Sequence, residues 1–208
     1  MSRSPVLLQR YLYLTVLIGG AAVLALELAA SRLLGPFFGT GNVVWASVIG
    51  LTLLYLTAGY FIGGYWADRM PTPVRFYQIV AWGALLSGLI PFAARPALPL
   101  IAGLGLSVGL ASALAMLILF AIPMTLLGCV SPFAIRLALE SVEQAGQTAG
   151  RLYAVSTLGS VIGSLAPVLL LLPEAGTQAT FLMVSGILLS VALVGLALAR
   201  KQQTVTHR

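Results

Sequence analysis

Residues 43–66 read VVWASVIGLTLLYLTAGYFIGGYW and contain no charged side chain. A run of this length is enough for an α-helix to cross the hydrocarbon of a bilayer, which needs about 20 apolar residues. The run has to be helical there, because lipid offers no partner to a free backbone N–H or C=O group. The stretch therefore predicts a transmembrane helix.

Five further apolar runs surround this one, and together they predict six helices at about 11–31, 43–66, 76–94, 100–123, 152–172 and 178–199. Proline favours helix ends, because it lacks the N–H group and clashes with the preceding turn. We therefore expect the helices to be bounded by several prolines, with Pro173 and Gly176 forming the last turn; the others are Pro36, Pro71, Pro73, Pro96, Pro99, Pro123 and Pro132.

The composition excludes a water-soluble surface. Charged residues make up only 8% of the chain and apolar residues 60%, with a mean hydropathy of +1.04. A soluble domain has roughly 25% charged residues. The expected fold class is an all-α integral membrane protein, with residues 1–208 forming a single membrane domain whose first partner is the lipid bilayer.

The basic residues predict the orientation in the membrane. If the N-terminus is inside, the outer side carries only Arg32 and Arg95; the nine on the inner side are Arg3, Arg10, Arg69, Arg75, Arg136, Arg151, Arg200, Lys201 and Arg208. By the positive-inside rule, both termini are expected in the cytoplasm, at the cell (inner) membrane. The same residues are single and scattered, so the net charge of +6 does not predict nucleic-acid binding.

The polar connection at 124–151 divides the helices into two groups of three, a 3+3 arrangement typical of transporter folds. Within it, alternating apolar and charged residues from Phe133 to Glu143 predict a short amphipathic helix at the inner interface. Glycine pairs recur at Gly59/Gly63, Gly105/Gly109 and Gly159/Gly163. Glycines four apart allow close helix packing, within one chain or at a homodimer face.

Glu27 is the most informative single residue, because it lies in the outer part of the first predicted helix. A carboxylate in hydrocarbon is unfavourable by about 2.5–3.5 kcal/mol on insertion scales. Arg32 is the nearest cation in the sequence, but about 140° away around a regular helix. Two interpretations stay open: a polar site in an outward-facing cavity, or a structural ion pair between two helices.

Other polar and aromatic residues allow two interpretations each. Asp68 is either a local cap in a solvated turn or part of a conformational latch with a basic residue or a helix end. Ser156, Ser160 and Ser164 either bond a neighbouring helix or line a cavity. Most tyrosines and tryptophans, including Trp45 and Tyr153, fall near predicted helix ends, as in interfacial belts.

Catalytic motifs are missing from the sequence. It has no phosphate-binding loop, no nucleophile elbow and no zinc-protease motif. Cys129 and His207 are the only residues of their types, so neither a disulfide nor a metal site between them is expected. The sequence predicts no cofactor and no catalytic residue.

Two stretches, Glu27–Arg69 and Gly128–Thr177, resemble the membrane domain of spermidine synthase-like (polyamine aminopropyltransferase-like) proteins. That domain is described as a half-sized major facilitator fused to a soluble synthase domain. The resembling features, in chain order, are Glu27 with Arg32, Pro36, Gly39, Trp45, Gly59 through Gly64, Ala67-Asp68-Arg69, Gly128, Ser131-Pro132, Arg136, Gly150-Arg151-Leu152-Tyr153, Gly159 and Gly163.

The resemblance implies a half-major-facilitator-like fold and a synthase domain that is expected to be absent here. It favours a non-catalytic module that docks a separate synthase-like or methyltransferase-like enzyme and holds or passes a polyamine or a membrane-borne substrate. Expected substrate-binding residues are Glu27, Arg32, Trp45 and Tyr153. Expected latch or partner-docking residues are Asp68, Arg69, Arg75, Arg136, Glu140 and Arg151.

Two alternatives remain. The first is a small transporter of a cationic or amphipathic solute, built as a homodimer, in which Glu27 binds the cation and Arg32 tunes it. The second is a structural subunit of a larger membrane complex.

Overall fold

The computed structural model describes residues 6–139 and 141–206, and the chain is helical through almost all of this part, with no strand in it. The helices are α1 (Val6–Phe38), α2 (Asn42–Arg69), α3 (Pro73–Ala102), α4 (Val108–Gly128), α5 (Val130–Ala138), α6 (Ala145–Ala166) and α7 (Leu172–Thr206). A 3-10 turn, Val142–Gln144, precedes α6, and a π-helical segment, Pro167–Leu171, joins α6 to α7. Five helical segments are long and apolar enough to cross a membrane. The fold is therefore all-helical and compatible with a multi-pass membrane protein.

The helices run past most of the prolines expected to end them. Pro36 lies inside α1, Pro123 inside α4 and Pro132 inside α5, and α3 contains Pro96 and Pro99. The third helix also contains Pro91, which is not among the prolines expected to end helices. The predicted helices at 76–94 and 100–123 are therefore wrong at the connection between them, because α3 continues to Ala102 and α4 begins only at Val108. Apolar helices tolerate proline where neighbouring helices and local adjustments satisfy the freed backbone groups.

Glycine and a threonine cap mark the true helix boundaries of the first half. After α1, Gly39 adopts a positive φ of 81°, and its N–H donates to the carbonyl of Gly35 at 2.8 Å. This is the left-handed position at which many helices end, and glycine takes it without strain. At the start of α3, the Thr72 hydroxyl accepts from the Arg75 N–H, and Pro73 takes the first helical position.

The last apolar segment, Val142–Gln203, spans 62 residues and is broken at Gly176, whose backbone has φ 79° and ψ 174°. Ile162 before the break and Ile187 after it line the same crevice. On one straight helix these two residues would lie about 37 Å apart, at 1.5 Å per residue. The segment therefore folds back on itself at Gly176, where the last turn was predicted.

Three helix pairs make the most extensive contacts: α1 against α6, α2 against α4, and α3 against α7. Two of these pairs are built on glycine. A Cβ at Gly59 or Gly63 would meet the backbone of α4 or the following Cys129, and a Cβ at Gly159 or Gly163 would meet the backbone of α1. These four glycines thus serve packing within the chain.

One prediction about a smaller element is wrong. Gly105 has a positive φ of 66° in the loop before α4, so Gly105 and Gly109 do not share a helix face. The short helix expected in the 124–151 connection is α5, whose apolar face is buried against the bundle at Phe133 and Ala134. The Phe133 ring lies 5.9 Å from that of Phe76, which anchors α5 inside the bundle.

Candidate functional site

An open groove lies between α2 and α6. These two helices make no backbone contact with each other, although both contact α1 and α5, and α2 also packs on α4. Tyr60 on α2 and Tyr153 on α6 lie near each other across the gap. Both tyrosine side chains are about half exposed. We call this gap the α2–α6 groove and define it by Glu27, Tyr60, Tyr153 and Ser160.

Helix α1 carries Glu27 on the side that faces α6. The Ser160 hydroxyl on α6 donates to the carbonyl oxygen of Gly20 at 3.3 Å, so Gly20 marks the side of α1 that packs against α6. Glu27 lies about two helical turns beyond Gly20 and therefore on the same side of α1. Its side chain is half-buried, and no hydrogen bond or ion pair joins it to another residue within 6–139 and 141–206.

The four residues expected to bind substrate do not form one cluster. Helices α1 and α6 run in the same direction, since Gly159 packs at Leu17 and Gly163 at Ala21. Glu27 lies about 10 Å beyond the Gly20 level and Tyr153 about 10 Å before it, so some 20 Å separates them along the bundle. They border the same groove at different heights.

Arg32 and Trp45 lie away from the Glu27 carboxylate. Arg32 is exposed and makes no ion pair with Glu27 in the structure. Trp45 is half-buried in the first turn of α2, near the end of the bundle that holds the α1–α2 loop. The structural ion pair between Glu27 and a second helix, one of the two sequence-based interpretations, is therefore not found among the described residues.

At the opposite end of α2, Asp68 and Arg136 form an ion pair. Arg136 Nε lies 3.1 Å from Asp68 Oδ1, which links the C-terminus of α2 to α5. The side chain of Asp68 is 75% exposed and that of Arg136 35% exposed. A pair this open to solvent contributes no more than about 1 kcal/mol. The sequence singled out both residues, but not their pairing.

The other expected docking residues are spread over the same end of the bundle. The Arg69 guanidinium lies 4.0 Å from the centre of the Tyr65 ring, a cation–π contact. The side chains of Arg75 and Arg151 are exposed. Glu140 lies outside the described residues. No group of three or more acidic, cysteine or histidine residues that could hold a metal ion occurs in the described part of the chain.

Sequence reasoning missed Tyr60 as a groove residue. Its position near a helix end indicates an interfacial aromatic, and nothing in the local pattern shows that it faces Tyr153. The useful signal is its neighbour Gly59, since a residue beside a packing glycine borders a helix interface. Sequence reasoning also missed the hydrogen bond from Arg95 to Gln178, 2.9 Å long, which joins α3 to α7 near the break at Gly176.

Comparison of the chain with models of protein families, with curated proteins and with solved structures finds no match. The resemblance to spermidine synthase-like membrane domains rests on the sequence motifs alone.

Proposed function

We propose that this chain is a membrane protein with six crossings in a 3+3 arrangement. The reversal at Gly176 supports six, because it divides the last apolar segment into two helices that both pack on α1. The contact pattern supports the repeat. We match the helices of the two halves as α1 with α4, α2 with α6, and α3 with α7. Under this match, the α1–α6 contact corresponds to the α4–α2 contact, and the α3–α7 contact corresponds to itself.

The proposed orientation has both termini in the cytoplasm, at the cell (inner) membrane. The distribution of nine basic residues against two supports it. In this orientation, the Asp68–Arg136 pair and the exposed Arg69, Arg75 and Arg151 face the cytoplasm. Glu27 and Trp45 then lie in the outer half of the protein.

The proposed function is to bind and move a cationic or amphipathic solute through the α2–α6 groove. The main observation in support is Glu27, whose half-buried side chain lies in an apolar helix. It has no hydrogen-bond or ion-pair partner among the described residues. A carboxylate at that depth needs a positive charge, a proton or water. Groove tyrosines add ring faces that attract cations.

The exposed surfaces of α2 and α6 carry more hydroxyl groups than those of α3 and α4. The exposed side chains in the middle of α3 and α4 are apolar, such as Trp82 and Leu85 on α3 and Leu117 and Ile118 on α4. The exposed side chains of α2 and α6 include the hydroxyls of Thr57, Tyr60, Tyr153 and Thr157. Hydroxyl groups at this depth favour a face covered by solute, by water or by a second copy of the chain, as in the homodimeric transporter.

Uptake into liposomes tests this proposal, with radiolabelled spermidine and tetraphenylphosphonium as the two cationic probes. We expect saturable uptake of at least one probe by the wild type and its loss in Glu27→Gln. Glu174→Gln is the matched control, because Glu174 is exposed near the break at Gly176 and makes the same chemical change away from the groove. Equal uptake by the two variants, or no uptake above empty liposomes, would contradict the proposal.

A second candidate function is docking of a separate synthase-like or methyltransferase-like enzyme at the cytoplasmic face. The exposed Arg69, Arg75 and Arg151 at one end of the bundle favour it, because basic side chains suit an acidic partner surface. Purification in mild detergent tests it. A soluble enzyme with aminopropyltransferase or methyltransferase activity should accompany the wild type and be lost on replacing these three arginines by glutamine. Arg32→Gln with Arg95→Gln is the matched control, and retention of the enzyme by the triple variant argues against docking.

A further inference from the structure

An apolar crevice opens between α1, α6 and α7. It has a volume of about 220 Å³ and is lined by Leu17, Ile18, Ala21, Ala22, Ala25, Ile162, Gly163, Ala166, Pro167, Leu171, Val184 and Ile187. Ala25 lies on the side of α1 away from Gly20 and Glu27, by the helical repeat. The α1–α6–α7 crevice is therefore separate from the α2–α6 groove and lies across the α1–α6 contact from it.

One wall of the crevice is shaped by the π-helical segment. The Leu172 N–H donates to the Pro167 carbonyl, five residues back, and the backbone is wider there than in an α-helix. Such segments are rare, and many lie at functional sites. Pro167 and Gly163 are buried on this wall, and Ala22 is buried on the wall opposite. The side chains that line the interior are small, which is why space remains between well-packed helices.

We propose that this crevice binds one acyl chain of a membrane phospholipid. None of its twelve lining residues has a charged or hydrogen-bonding side chain, and empty apolar cavities do not hold water. An engineered apolar cavity of roughly 150 Å³ already takes up benzene, so this crevice is large enough for a segment of hydrocarbon chain.

Position and access identify the source of the hydrocarbon. Ala21 and Ala22 lie midway along α1, at the depth of acyl chains and not of headgroups. At the mouth, Ile162 is 53% and Ile187 54% exposed, so the opening lies on the outer surface of α6 and α7, which lipid covers. A chain from the surrounding bilayer enters there without passing a polar group.

The bound chain fills the space between α6 and α7, which both pack on α1. Without it, the lining residues lose contacts on one side, and that loss is unfavourable for any apolar cavity. The thermal stability of the delipidated protein should therefore rise when phospholipid is returned.

The test uses the full chain, delipidated in detergent and then mixed with dioleoylphosphatidylglycerol or dioleoylphosphatidylcholine. Native mass spectrometry counts the phospholipids retained per chain. We expect the wild type to retain one with either headgroup. Ala166→Phe fills the crevice and should reduce retention about tenfold, or about 1.4 kcal/mol. Ala197→Phe, at an exposed position on α7, is the matched control and should retain lipid as the wild type does.

Two results would overturn the proposal. One is retention by Ala166→Phe equal to that of the wild type, and the other is retention that depends on the headgroup while the chains are the same. Val184→Phe fills the crevice from α7 and serves as the second variant if Ala166→Phe does not fold. A filled variant should also lose the rise in melting temperature on adding phospholipid, while Ala197→Phe keeps it.

Discussion

At the scale of single residues, glycine decides how closely α1 and α6 approach. Lipid provides no hydrophobic drive between helices, so close backbone packing and dispersion have to hold them together. A Cβ at Gly159 would overlap the Leu17 carbonyl, and one at Gly163 would overlap the Ala21 carbonyl. Backbone atoms cannot move aside as a flexible side chain does, so the two helices would have to separate.

We therefore predict that Gly163→Ala lowers the free energy of unfolding by about 1–3 kcal/mol, the usual range for overpacking. Gly186→Ala on α7 is the matched control, because a Cβ there meets nothing within 4 Å. Equilibrium unfolding in mixed micelles measures both variants. If both variants are as stable as the wild type, α1 and α6 do not pack this closely at Gly163.

The candidate site was only partly predictable at this scale. Glu27 stands out in the sequence because a charge inside an apolar run has few explanations. Its relation to Tyr60 and Ser160 depends on how α1, α2 and α6 are rotated, and local patterns do not give that rotation. Arg32 was chosen for its closeness in sequence, but the helix turns its side chain away from Glu27.

At the scale of helices, the apolar runs predicted six elements, but prolines misplaced several of their ends. The rule that proline ends a helix holds for helices in water, where water can bond the carbonyl that proline leaves without a partner. In α3, Pro91, Pro96 and Pro99 lie in a helix that packs against both α4 and α7, and these neighbours hold it together. Three breaks in the described helices lie at glycines with positive φ instead, Gly39, Gly105 and Gly176, while α2 ends at Arg69 just before Pro71 and Pro73.

Gly176 gives a prediction at the same scale, because its φ of 79° and ψ of 174° belong to a region that only glycine adopts readily. Gly176→Ala should destabilise the reversal by about 1–3 kcal/mol and broaden the distance between α6 and α7. Spin labels at Leu158 and Val194, both exposed, measure that distance in a Cys129→Ser background. Gly146→Ala, in an open position on α6, is the control. A narrow, unchanged distance in Gly176→Ala would show that this glycine is not needed for the reversal.

At the scale of the whole molecule, the helix contacts fit the proposed 3+3 arrangement, which the recurring glycine pairs of the sequence only suggested. Gly59 and Gly63 of α2 pack against α4 and the following Cys129. Gly159 and Gly163 of α6 pack against α1. If the two proposed halves are exchanged, the α2–α4 contact corresponds to the α6–α1 contact, which supports the proposed repeat. The α3–α7 contact then joins the third helix of each half.

The length of the last apolar segment bears on how many times the chain crosses the membrane. A single helix over residues 142–203 would be about 90 Å long at 1.5 Å per residue, about three times the hydrocarbon thickness. We expect the reversal at Gly176 to give two crossings instead, which would place residue 203 on the side where α3 begins.

Single cysteines at Arg75, Ala175 and Gln203, all exposed, test this in a Cys129→Ser background. With a membrane-impermeant maleimide, we expect Arg75→Cys and Gln203→Cys to react from the same side in inverted vesicles. Ala175→Cys should react only in right-side-out vesicles. Labelling of positions 75 and 203 from opposite sides would mean an odd number of crossings between them, which two adjacent halves of three helices do not allow.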